Sequence, residues 1–224
     1  MSEAKDAPVE DGRDGNDEFL LPRQGMVAEQ LRNRGISDQR VLDAMLRVPR
    51  HEFVPGRYQD QSYEDHPLPI GENQTISQPY IVASMLEALA LKPSDKVLEV
   101  GTGSGYVTAL LGELVTQVFS IERHASLAAH AREIITKLGY RNVQIGLGDG
   151  WRGLPHHQPF EAIIVSAAAE HLPALLIAQL NEGGRMIIPI GGAEQQRLQL
   201  IRKENGQPEI FLREPCRFVP LIAD

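Results

Sequence analysis

The chain has 224 residues, 42% of them hydrophobic, with a formal net charge of −8 and one cysteine. Such a length and apolar content suffice for one sizeable α/β domain. The lone Cys216 excludes an internal disulfide and a multi-cysteine metal site, and the acidity argues against a nucleic-acid partner, since phosphate binding needs a basic surface field. No run approaches the roughly 18 apolar residues of a membrane span, and no basic segment followed by an apolar stretch opens the chain, so no membrane association and a cytoplasmic location are expected.

Residues 1–20 carry seven acids against Lys5 and Arg13 and show no apolar period before Phe19. They read as a disordered acidic tail. That leaves residues 21–224 as a single domain, with a helical and substrate-loop region over 21–92 and a sheet over 93–224. Apolar residues recur at helical spacing from Gln24 to Leu46, broken at Gly35 and restarted by an N-cap signal at Ser37-Asp38. Prolines at 49, 55, 67, 69 and 79 then mark an irregular stretch. Ile81, Val82, Met85, Leu86 and Leu89 predict a helix after Pro79. From Lys96 the pattern alternates: strands at 96–101, 117–121, 143–147, 162–167 and 185–190, with helices at 105–115, 126–138 and 172–180. This alternation predicts a doubly wound, Rossmann-like sheet, mostly parallel and covered on both faces. Residues 197–201 and 211–221, joined around Asn205-Gly206, predict a C-terminal antiparallel hairpin.

In "VLEVGTGSGY", Gly101, Gly103 and Gly105 follow an apolar strand and precede a helix. Glycine serves there for positive φ or close approach of a ligand, and the strand's carboxyl edge is where open α/β sheets bind ligands. Glu122, ending the next strand, suits the two hydroxyls of a ribose, although a plain surface carboxylate reads the same way. Asp149 in "GDG" suits an adenine amino group, with a simple turn as the alternative. A dinucleotide fingerprint requires a third glycine at position 106 to close on a pyrophosphate, and Tyr106 stands there. The spacing Glu99-x-Gly101-x-Gly103-x-Gly105 instead resembles the glycine-rich motif of S-adenosylmethionine-dependent methyltransferases, in which an acid such as Glu99 can hold the cationic amino group.

The segments "LPIGENQTISQPY", "VLEVGTGSGYVTALL", "VQIGLGDGW", "FEAIIVSAAA", "LNEGGRMIIPIG" and "RFVPL" occur in the order seen in protein-L-isoaspartate O-methyltransferases, over about residues 25–222. The resemblance implies methylation of the free α-carboxylate of L-isoaspartyl residues in damaged proteins and peptides, whose ester then recyclises to a succinimide. It also implies Ser77 as the active-site residue, and a cofactor site comprising Thr75, Ile76, Glu99, Gly101, Gly103, Gly105, Glu122, Arg123, Asp149 and Gly150. Val219 and Pro220 lie near the substrate groove, with strand-end packing as an equal reading.

A free α-carboxyl has a reference pKa of about 3.3–3.7, so the acceptor is already ionised at neutral pH and needs no general base. Direct in-line transfer to the carboxylate oxygen is expected, with Ser77 positioning that oxygen. Ser77 as a cap of the following helix is compatible, because a helix N-terminus offers unpaired N–H groups to a carboxylate. Gln78 has no assigned role. The seven histidines form no metal-ligand set, and methyl transfer to a carboxylate needs no metal. The alternatives are a methyltransferase of the same fold with another carboxylate or small-molecule acceptor, a non-catalytic cofactor-binding module, and a nicotinamide oxidoreductase, which Tyr106 disfavours.

Overall fold

The computed structural model describes residues 18–192 and 194–223; residues 1–17 of the expected acidic tail lie outside the described residues. The first helix, α1 (Leu20–Gly25), runs on through a π-helical turn at Met26–Leu31 and a 3-10 turn at Arg32–Arg34, and ends at Gly35 with φ of 98°. Only glycine adopts that left-handed conformation without strain. The next helix, α2 (Gln39–Arg47), is capped by the Asp38 carboxylate, which accepts from the N–H groups of Arg40 and Val41. Leu31, Leu42, Met45 and Val48 lie on the shared buried face.

The proline-punctuated stretch forms two 3-10 turns, Arg50–Phe53 and Gly56–Gln61. It also forms a hairpin absent from the sequence expectation: β1 (Leu68–Gly71) pairs antiparallel with β2 (Gln74–Ile76). The turn residues Glu72 and Asn73 both have positive φ, at 50° and 56°. Gly71 just before them also has positive φ, at 98°, so the glycine stands outside the central Glu-Asn pair and not in it, where it usually announces such a turn. Helix α3 (Pro79–Leu89) follows with proline at its first position and Gln78 as N-cap, with no side-chain capping bond from Gln78. The capping role considered for Ser77 therefore falls away. Asp65 performs it instead, its Oδ1 accepting from the Tyr80 N–H at 3.2 Å.

The remaining strands are β3 (Lys96–Val100), β4 (Gln117–Glu122), β5 (Val143–Leu147), β6 (Phe160–Val165), β7 (Leu180–Gly191), β8 (Gln196–Glu204) and β9 (Gln207–Cys216), interleaved with α4 (Tyr106–Leu114), α5 (Ala125–Lys137) and α6 (Ala174–Ala178). They form one seven-stranded sheet in the order β5-β4-β3-β6-β7-β8-β9. Pairs from β5 to β7 are parallel, and β7-β8 and β8-β9 are antiparallel. The Asn205-Gly206 turn has the two positive φ values expected of it, 53° and 74°.

Three boundaries differ from the sequence reading. Helix α6 has five residues, entered through Pro173, and β7 begins at Leu180, ahead of the strand expected from 185. The β5–β6 crossover, where no helix was expected, contains only 3-10 turns, at Gly150–Arg152 and Pro155–His157. Strand β9 ends at Cys216, and residues 217–222 cross back over the sheet, with the Val219 carbonyl accepting from Ala168 N–H at 2.8 Å and Leu221 N–H donating to the Ala168 carbonyl at 2.7 Å. The two faces of the sheet are unequally covered. One packs Val97, Val118, Ala162 and Ile187 against α2, α3, α4 and α5; the other packs Leu98, Phe119, Ile163 and Met186 against little more than α6 and the 3-10 turns.

A buried ion pair locks α3 to the sheet. Arg185 of β7 donates to Asp95 Oδ2 at 2.5 Å and to the Leu89 carbonyl at 2.7 Å, and Asp95 also accepts from the Lys92 N–H at 2.9 Å. With Asp95 only 3% exposed, its removal strands a largely buried guanidinium. Asp95→Ala is expected to cost about 3 kcal/mol of unfolding free energy in urea denaturation; a loss below about 1 kcal/mol would show that solvent already compensates Arg185.

Candidate active site

Strand β3 has β4 on one side and β6 on the other, so the loops leaving it and its neighbours diverge and open a crevice at their carboxyl ends. A cavity occupies that crevice. Its floor is the glycine loop, where Gly101, Gly103 and Gly105 have φ of 91°, 53° and 89°; these conformations confirm the backbone reason for the three glycines. Gly105 also abuts α5, where a Cβ would lie 3.1 Å from that of Ala131. Gly150 serves close approach instead: a Cβ there would meet Val100 Cγ1 at 2.6 Å.

Two carboxylates expected at the cofactor line this cavity. Glu122 accepts from the Gly103 N–H at 2.8 Å and from the His124 N–H at 2.9 Å, so it ties the glycine loop to the start of α5. Each oxygen keeps a second lone pair for a ligand. Glu99 is fully buried. Its Oε2 accepts from Thr108 Oγ1 at 2.5 Å and from Ser120 Oγ at 2.7 Å. The Ser120 proton being thus committed, Thr102 Oγ1 donates in turn to Ser120 Oγ at 2.5 Å. Glu99 Oε1 has no hydrogen-bond partner among the described residues. Burial raises the Glu99 carboxyl to about 8, against the opposing hydrogen bonds from Thr108 and Ser120 and with a further push from Glu122. An unpartnered buried acceptor beside a glycine-floored cavity fits a ligand that carries an ammonium group and a ribose.

The hairpin β1–β2 forms the roof. Ile70 Cδ1 would lie 3.4 Å from a Cβ at Gly103, and the tip residue Glu72 accepts from Ser126 Oγ of α5 at 2.6 Å. Thr75, Ile76 and Ser77 line the cavity from this hairpin and the residue after it. The segment 217–222 forms the remaining wall: Trp151 Nε1 donates to the Leu221 carbonyl at 3.1 Å, Arg123 Nη1 to the Ile222 carbonyl at 3.2 Å, and Gln196 and Phe218 exchange two hydrogen bonds. Arg123, Gly150, Val219 and Pro220 line the cavity. Asp149 does not. It caps a 3-10 turn through the Trp151 N–H at 2.9 Å, which is the turn reading of "GDG".

A second groove adjoins the first cavity. Thr75, Ser77, Ser166 and Val219 line both, while Gln78 and Cys216 belong to the groove. Ser77 therefore stands at the junction, and its hydroxyl has no protein partner among the described residues. Burial, with Glu214 adding to it, raises the Cys216 thiol to about 11, leaving it protonated. Ser166 was missed in the sequence; its position just past β6, across the topological switch from β3, is the available signal. At the N-terminus of α3, expected to offer N–H groups to a carboxylate, the first two helical positions offer none. Pro79 has no N–H, and that of Tyr80 is taken by Asp65. Among the described residues no group of three or more His, Cys, Asp and Glu side chains could hold a metal ion, and no helix is long and apolar enough to cross a membrane.

The profile of the family described as protein-L-isoaspartate(D-aspartate) O-methyltransferase matches residues 23–224. The chain is 55% identical over 206 residues to the protein-L-isoaspartate O-methyltransferase of Koribacter versatilis, covering 92% of this chain and 93% of that one. It is 52% identical over 211 residues to that of Syntrophus aciditrophicus, covering 93% and 97%. A Plasmodium falciparum protein-L-isoaspartate O-methyltransferase crystallised with S-adenosyl-L-homocysteine superposes with a TM-score of 0.80 at 30% identity, over 90% of this chain and 99% of that one. With a doubly wound sheet, a glycine-floored cavity and a matching sequence over nearly its whole described length, this chain belongs to the protein-L-isoaspartate(D-aspartate) O-methyltransferase family.

Proposed function

We propose that the chain transfers the methyl group of S-adenosylmethionine to the free α-carboxylate of L-isoaspartyl residues in damaged proteins and peptides, as a single catalytic domain over residues 21–224. The observation that carries this reading is the junction at Ser77, where a cavity suited to the cofactor adjoins a second groove that shares Thr75, Ser77, Ser166 and Val219 with it. The cofactor supplies a methyl group activated by the adjoining sulfonium. The unpartnered Glu99 Oε1 would accept from its ammonium group, and Glu122 from its ribose hydroxyls. Gly101, Gly103, Gly105 and Gly150 keep the cavity open, and Thr75, Ile76 and Arg123 complete its walls. Asp149 would hold the adenine edge only through an oxygen not engaged by the turn.

The acceptor carboxylate arrives ionised, so this chain supplies alignment and a dry surrounding rather than a base. The Ser77 hydroxyl, free of protein partners, donates to the acceptor oxygen, and Val219 and Pro220 border the peptide. The acidic surface supports protein over nucleic-acid substrates, and the single cysteine supports a cytoplasmic setting.

Three measurements test these assignments. Incubated with labelled S-adenosylmethionine and two peptides differing only in L-isoaspartate or L-aspartate, the protein is expected to label the isoaspartyl peptide alone, as a base-labile ester; equal labelling would overturn the proposed specificity. Ser77→Ala is expected to lower kcat/KM by on the order of 10- to 100-fold, the loss of one hydrogen bond to a charged group, with S-adenosylhomocysteine affinity retained. Unchanged turnover would remove Ser77 from the mechanism.

The third concerns pH. The folded Glu99 carboxyl lies at about 8 against 4.5 for the ordinary side chain. Between these values the folded chain binds more protons than the unfolded one, so this group's contribution to stability falls as pH rises through the window. Glu99→Gln is expected to raise Tm by at least ~2–4 °C near pH 8, the equivalent of about 1 kcal/mol in a domain of this size, with the gain shrinking toward pH 5. The same variant should bind S-adenosylhomocysteine more weakly. A Tm difference independent of pH would contradict the buried neutral acid.

A further inference from the structure

Arg50 is the largest fully buried side chain, with no exposed surface and no carboxylate in an ion pair with it among the described residues. Its guanidinium lies over the Tyr106 ring, 4.9 Å from the centroid. Nε donates to the Ser62 carbonyl at 2.7 Å, and Nη2 donates to the Ser77 carbonyl at 2.9 Å. Asp65 is near enough to favour the cation, yet burial outweighs it, so the bonds Arg50 makes are where its role should be sought. One of them is to the backbone of the residue at the junction of cavity and groove.

That bond fixes the orientation of a peptide plane. The Ser77–Gln78 bond is trans, and in a trans peptide the C=O and N–H point in opposite directions. With the Ser77 C=O turned inward to Arg50, the Gln78 N–H is turned the other way. It has no protein acceptor among the described residues, and Gln78 lines the groove beside Ser77. The Gln78 side chain faces elsewhere, its Nε2 donating to Asp65 Oδ2 at 2.7 Å. Asp65 also holds Tyr80, so Arg50 and Asp65 grip the loop on either side of this N–H.

We propose that the Gln78 backbone N–H and the Ser77 hydroxyl form a two-donor cradle for the acceptor carboxylate, and that Arg50 is the positioning residue that turns the Gln78 N–H into the groove. By accepting from a cation, the Ser77 carbonyl polarises the same peptide and makes its N–H a stronger donor. The cradle lies at the N-cap of α3, whose first two helical N–H groups are missing or taken. This inference rests on Ser77 meeting the acceptor.

Gln78 has φ of −52° and ψ of 134°, a conformation proline adopts, so Gln78→Pro deletes the N–H without requiring a new backbone path. Gln78→Ala keeps the N–H and removes only the bond to Asp65. Relative to Gln78→Ala, Gln78→Pro is expected to lower kcat/KM for the isoaspartyl peptide at least tenfold, with S-adenosylhomocysteine affinity within twofold. Arg50→Met should act in the same direction, and Arg50→Lys, which can still donate to Ser77, should recover part of the loss. Equal turnover by the Gln78→Pro and Gln78→Ala proteins would overturn the cradle, as would Arg50 variants with a lowered Tm and undiminished kcat/KM in the folded fraction. Should the Arg50 variants not fold, the two Gln78 variants decide the matter. Wild-type protein that binds S-adenosylhomocysteine but leaves the isoaspartyl peptide unlabelled would overturn the proposed function and this inference together.

Discussion

The place of β3 in the sheet is the constraint on which the site depends. Because β4 lies on one side of it and β6 on the other, the connections from these strands leave the sheet in opposite directions, and no chain fills the space above β3. The glycine loop enters that space with a backbone that only glycine accepts cheaply at 101, 103 and 105. Everything else in the site is brought to this opening: the hairpin β1–β2 from before the sheet, Ser166 from the end of β6, and residues 217–222 from beyond β9. Three distant parts of the chain enclose the cavity because the crevice itself supplies only a floor.

Charge is distributed around this opening in a way that a purely structural core would avoid. Glu99 is buried with one oxygen bonded twice and the other not at all. Arg50 is buried with no acid paired to it. Each departs from the rule that buried polar groups are satisfied, and they bracket the site, Glu99 beneath the cavity and Arg50 behind the loop proposed to meet the acceptor. In the proposed arrangement, a carboxylate facing a cationic cofactor and a cation behind the donors that face an anionic acceptor follow the charges of the two reactants. Away from the site, Arg185 and Asp95 form a closed pair, where stability alone is at stake.

The uneven covering of the sheet follows from the same economy. Helices α2 to α5 pack one face into a continuous apolar layer. On the other, α6 and two 3-10 turns leave room for the Trp151–Leu221 contact and for the closing segment to reach the carboxyl edge. A longer crossover helix between β5 and β6 would occupy the path that residues 217–222 take.

The sequence by itself determined the elements whose signal is local. The alternation from Lys96 onward gave the parallel strands, Asp38 and Gly35 marked their helix ends, Asn205-Gly206 marked its turn, and the spacing of Glu99, Gly101, Gly103 and Gly105 located the cofactor cavity. These follow from backbone preference and side-chain period, which act over a few residues. Only the tertiary structure decided what depends on residues far apart in the chain. The hairpin at 68–76 turns at a Glu-Asn pair with no glycine inside it; β7 begins at Leu180, ahead of the strand expected from 185; and residues 217–221 left the strand they were read into to bond with Ala168. The cap of α3 came from Asp65 rather than Ser77, and the cation behind Ser77 came from Arg50, 27 positions away. A hydrogen bond between such distant positions leaves no periodic trace in the sequence, because it is the packing of whole elements that brings its donor and acceptor together.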